Sequence, residues 1–127
     1  MDNKGSDMSI LFGKKLNQHN GAYMHHCAGC DMAHVINVET PNGYTGAKWS
    51  FNNDPVAPTF SPSVLVRYSR PKGYTNENPA PVGWKGETVN TVCHYFITDG
   101  KIQYLGDCTH SLAGQTLELP DWQDDSN

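Results

Sequence analysis

Val89-Asn90-Thr91-Val92-Cys93-His94-Tyr95-Phe96-Ile97-Thr98-Asp99-Gly100-Lys101-Ile102-Gln103-Tyr104-Leu105-Gly106-Asp107-Cys108 is the stretch that decides the fold. Two runs rich in β-branched and aromatic residues, 89–98 and 101–108, flank Asp99-Gly100, the residue pair that a two-residue type I′ hairpin turn prefers. With Asp99 and Gly100 as the loop, the register follows: Thr98 faces Lys101, Ile97 faces Ile102, Tyr95 faces Tyr104 and Cys93 faces Gly106. Side chains alternate across a strand. One face therefore carries Cys93, Tyr95, Ile97, Ile102, Tyr104 and Cys108, and the other His94, Phe96, Gln103, Leu105 and Asp107. Cys93 and Cys108 fall on a diagonal, where Cβ atoms are roughly 7 Å apart, close enough for two thiolates to share one ion. His94 and Asp107 fall on the opposite diagonal. An imidazole oriented by a carboxylate serves general acid-base catalysis or supports a metal ligand.

Upstream, Cys27-Ala28-Gly29-Cys30 is a CxxC at the tip of a second hairpin. An extended arm, Ala22-Tyr23-Met24-His25-His26, leads in, and His34-Val35-Ile36-Asn37-Val38 leads out. Two cysteines at this spacing reach one ion from a tight turn. The chain has four cysteines, and Cys27, Cys30, Cys93 and Cys108 together satisfy a tetrahedral Zn2+ that staples the early hairpin to the late one. His34 and His110 are the alternative ligands. If one of them displaced a cysteine, the site would hold three thiolates and one imidazole, and an open fourth position would make it a catalytic zinc.

Between the hairpins, residues 47–51 alternate around Trp49 and Phe51 as in a half-buried strand. Pro58-Thr59-Phe60-Ser61-Pro62-Ser63 reads as a rigid wall presenting hydroxyls ahead of a strand over 64–68. Residues 69–88, rich in Gly, Pro and Asn, read as a long loop in which Tyr74 and Trp84 are candidate partner contacts. Residues 115–119 form a last short strand. The expected fold is mainly β with little helix: one antiparallel hairpin-and-sheet domain over 1–127, stapled by zinc, with loose ends at 1–9 and 123–127.

The 127 residues carry a formal net charge of -4, which argues against a sequence-independent grip on nucleic acid. No apolar run approaches the ~18 residues of a membrane span, and the apolar stretch at 9–12 is too short for a signal-peptide core. The reading is of a cytoplasmic protein, in which cysteines serve as metal ligands rather than disulfides. No GxSxG, phosphate loop, HExxH or zinc-deaminase signature is present.

The ordered set Cys27-Ala28-Gly29-Cys30 with His34, Trp49-Ser50-Phe51-Asn52, Pro58 to Ser63, Cys93-His94-Tyr95-Phe96, Asp99-Gly100, and Asp107-Cys108-Thr109-His110-Ser111-Leu112-Ala113-Gly114-Gln115-Thr116 resembles a family of small phage and prophage proteins. Some members of that family carry the label ammonia monooxygenase. The resemblance spans residues 22–122. It implies a phage origin and a zinc-binding domain, and it adds His34, His94, Asp107 and His110 as positions of interest. Three functions follow as expectations. The first is an accessory binding protein engaging a host or defence-system protein in the infected bacterium through Tyr74 or Trp84. The second is a zinc-dependent hydrolase using His94, Asp107 and His110. The third is a nucleotide or small-ligand binder built on the wall at 58–63.

Overall fold

Two antiparallel sheets share one core in the computed structural model, which describes residues 10–72 and 86–122. The first sheet has the order β1 (Ile10–Phe12), β2 (Leu16–His19), β3 (Ala22–Cys27), β4 (Met32–Asn37). The second runs β5 (Ser50–Phe51), β6 (Phe60–Pro71), β7 (Thr88–Thr98), β8 (Lys101–Tyr104), β9 (Thr116–Glu118). No helix occurs among the described residues. The mainly β fold expected from the sequence is thus the one found. Tyr74 and Trp84, the candidate partner contacts, lie outside the described residues.

The central strands bury close to every second side chain, as the pleat requires. Tyr23, His25 and Cys27 of β3 and His34 and Ile36 of β4 point inward, and so do Cys93, Tyr95 and Ile97 of β7 and Ile102 and Tyr104 of β8. The inward rows meet in one cluster completed by Leu16, Phe60, Val64 and Leu119. Within the second sheet Phe51 stacks on its cross-strand partner Phe60 at 4.4 Å between centroids, and Tyr23 of the first sheet tilts against Phe51 at 4.6 Å, bridging the two sheets.

The β7–β8 register matches the sequence reading, with Tyr95 opposite Tyr104, Ile97 opposite Ile102 and Thr98 opposite Lys101. Asp99 and Gly100 adopt φ of 52° and 77°, the two left-handed positions a type I′ turn demands. A Cβ at position 100 would also crowd Ala57 Cα at 3.2 Å and Val56 O at 3.3 Å. Gly100→Val should therefore lower stability by about 1–3 kcal/mol, read by chemical denaturation. An unchanged denaturation midpoint would contradict this account of the turn.

β6 is longer than the strand expected over 64–68. Its pairing with β7 skips from Phe60 opposite Ile97 to Val64 opposite Tyr95, so that the segment holding Ser61, Pro62 and Ser63 bulges. A bulge turns side chains away from their regular direction and commonly borders functional sites. Here Trp49 fastens the bulged segment, its indole N–H donating to the Ser63 carbonyl at 3.1 Å.

Candidate active site and metal centre

On the outward face of the second sheet, β6 and β7 place Leu65 opposite His94, and the bulge brings Ser63 to the same imidazole. His94 Nε2 lies 3.2 Å from Ser63 Oγ, and His94 Nδ1 lies 3.1 Å from Asp107 Oδ2. A carboxylate only accepts, so Nδ1 carries the ring proton and donates it to Asp107. Nε2 is then left with a lone pair that accepts from the Ser63 hydroxyl. This is the hydroxyl–imidazole–carboxylate chain in which a base activates a serine nucleophile and a carboxylate fixes the base's tautomer. The His94–Asp107 diagonal expected from the hairpin register is present. Ser63 as its third member was not foreseen, because the pairing of β6 with β7 and the bulge that re-aims Ser63 leave no signal in a single strand's pattern. The side chain of His94 is 27% exposed and that of Asp107 57%, so the chain lies at an accessible surface. Leu65 and Phe96, both partly exposed, flank His94 on that face.

On the inward face, Cys27, Cys30, Cys93 and His110 bring their ligand atoms within 4.8 Å of one another. Cys27 and Cys93 sulfurs are 3.7 Å apart, and His110 Nε2 is 3.4 Å from the Cys93 sulfur. Two sulfurs held at about 2.3 Å by a tetrahedral ion would sit about 3.8 Å apart, so the cluster has the dimensions of such a site. The knuckle is shaped for it. Cys30 N–H points at the Cys27 sulfur at 3.4 Å, Gly29 N–H donates to Tyr104 Oη, and that hydroxyl is 3.2 Å from the Cys27 sulfur. Gly29 has no side chain because a Cβ there would enter the His110 ring.

Electrostatics also call for a cation. Hydrogen bonds from Cys30 and Cys93 push the Cys27 thiol far below the usual thiol range, and the same contacts with Cys27 and Cys30 push Cys93 far above it. One thiolate is stabilised at its neighbour's expense, a conflict that a divalent cation removes. His34 borders the same sulfurs. Burial opposes its protonation, but Cys27 and Cys30 outweigh that and raise it to about 9. Its Nε2 is buried outside hydrogen-bonding geometry. Leu112 N–H donates to His110 Nδ1 at 3.2 Å, so Nε2 carries the proton of the neutral ring toward Cys93 and would ligate an ion only once that contact yields and the proton moves to Nδ1. Three sulfurs thus face two imidazoles, either of which completes a three-thiolate, one-imidazole set.

Cys108, expected as the fourth thiolate, is placed differently. Its sulfur accepts from His94 N–H at 3.3 Å and its thiol donates to His94 O at 3.2 Å. The β7–β8 ladder ends at Tyr95 opposite Tyr104 and does not reach the Cys93–Gly106 pair on which the cysteine diagonal was drawn.

Serine chain and thiolate cluster share two segments, with Cys93 beside His94 and Asp107 beside the turn to His110. They place a cluster of three cysteines and a histidine that could hold a metal ion on one face of a sheet, and a serine–histidine–aspartate hydrogen-bonded chain on the other, in an all-β fold. The chain belongs to the family described as bacterial ubiquitination-like system serine protease (BubE), whose model matches residues 3–105. That match includes Ser63, His94 and the three clustered cysteines, and ends before Asp107. No curated protein and no solved structure matches the chain.

Proposed function

We propose that the protein is a serine peptidase that acts on the carboxyl-terminal tail of a ubiquitin-like protein, with Ser63 as nucleophile, His94 as general base and then acid, and Asp107 as the group that orients His94. The observation that carries this reading is the continuous chain from Ser63 Oγ through both nitrogens of His94 to Asp107. His94 Nε2 takes the Ser63 proton as Oγ attacks the scissile carbonyl, and the resulting imidazolium is held by Asp107. His94 then gives that proton to the departing amine, leaving an acyl ester on Ser63. A water deprotonated by His94 hydrolyses the ester and restores the hydroxyl. The system named in the family description supports the choice of substrate, since ubiquitin-like proteins are joined and released at their carboxyl-terminal tails. An open sheet face suits an extended, flexible tail, which can lie along β6 and β7 with an apolar side chain against Leu65 and Phe96.

Zn2+ is the ion proposed for the cluster of Cys27, Cys30, Cys93 and an imidazole. It would bind the three thiolates and hold the knuckle to β7. Four cysteines outside any disulfide, three of them grouped, fit a reducing bacterial cytoplasm. The partner is then a component of the same ubiquitination-like system, which narrows the host or defence-system protein expected from the loop aromatics. Incubation with a ubiquitin-like protein extended at its carboxyl terminus should yield two fragments by mass spectrometry, cut within the tail. A substrate that stays intact while the enzyme is folded and metal-loaded would refute this choice of substrate.

A further inference from the structure

We propose that Cys108 is a positioning residue for His94, an inference that rests on the serine peptidase reading. In a regular antiparallel pair, His94 and Leu105 would exchange two backbone hydrogen bonds. Only one is made: Leu105 N–H donates to His94 O at 2.9 Å. Leu105 O accepts instead from Cys108 N–H at 3.2 Å, because the chain turns there. The His94 N–H that this turn strands is taken by the Cys108 sulfur, whose own proton goes back to His94 O.

The side chain of Cys108 thus replaces the missing strand neighbour of His94. Cys108 is 8% exposed, so water does not readily substitute for it. The same turn carries Asp107, the preceding residue, onto the outward face at His94 Nδ1. Thr109 secures its far side, with its N–H donating to Val92 O at 2.9 Å and its hydroxyl accepting from Val92 N–H at 3.1 Å. Fixing the His94 peptide and the Asp107 turn with one thiol sets the base between its two partners. A displacement on the order of 1 Å in such a chain costs about 100-fold in rate.

The test uses full-length, metal-loaded protein and compares Cys108→Ala, Cys108→Val and Cys108→Ser. Valine fills the space without a hydrogen-bonding group, and serine keeps both a donor and an acceptor. The readouts are metal content, the rate of Ser63 modification by a fluorophosphonate, and the downfield proton resonance of His94 Nδ1–H. All three variants are expected to keep their metal. The alanine and valine variants should react about 10- to 100-fold more slowly, with the His94 resonance shifted or lost, and serine should recover most of the rate. Loss of the metal in Cys108→Ala and Cys108→Val would show that Cys108 is a ligand and overturn the inference, as would wild-type reactivity in both. Should wild-type Ser63 fail to react at all, the peptidase reading falls. The His94 resonance then judges the positioning alone, and an unshifted signal in the valine variant refutes it.

Discussion

Ser63→Ala should abolish tail cleavage, lowering kcat by about 1,000-fold or more while leaving folding and metal content unchanged. Removing the nucleophile of a serine–histidine–carboxylate set costs this much because the remaining groups cannot form the acyl intermediate. The structural cost is small. The Trp49 indole fastens the Ser63 carbonyl, and among the described residues the Ser63 hydroxyl hydrogen-bonds His94. Steady-state cleavage assays with thermal melts separate the two effects. Near wild-type turnover in Ser63→Ala would remove the serine from the mechanism.

Stripping the metal, or replacing Cys93 by Ser, should unfold the domain. Cys93 is fully buried, and its sulfur touches both Cys27 and His110. Structural zinc contributes about 10–16 kcal/mol of apparent binding free energy near neutral pH, whereas small domains have a net stability of only ~5–15 kcal/mol. An ion bound there would therefore decide whether the fold persists. Elemental analysis should give about one zinc per chain, and excess chelator should collapse the melting transition. A metal-free protein that melts at the wild-type temperature would contradict this.

The second hairpin was legible because three local signals agree at one place. Asp99-Gly100 specifies the turn, the turn specifies the register, and the register puts Tyr95, Ile97, Ile102 and Tyr104 on one face. The His94–Asp107 pair came from the same arithmetic. The knuckle was equally plain, since CxxC with an inner glycine leaves little choice. Ser63 was not legible, because its place depends on a non-local pairing of β6 with β7 and on a bulge between Phe60 and Val64. A search for contiguous catalytic motifs cannot find a site assembled from three separate segments. The reading of Cys108 as a fourth ligand rested on a related simplification. Counting cysteines assumed that every thiol would be a ligand and that the ladder runs on to Gly106, whereas the chain leaves β8 after Tyr104. His110, set back by that turn, brings an imidazole to the sulfurs instead.

Intact-mass spectrometry after treatment with a fluorophosphonate tests the catalytic assignment most directly. The folded, metal-loaded protein should gain one phosphonyl group, mapped to Ser63, and His94→Ala should slow the reaction by at least about 100-fold, the order of a general base's contribution. Absence of an adduct at Ser63, or a rate in His94→Ala equal to that of the wild type, would contradict the Ser63–His94–Asp107 account.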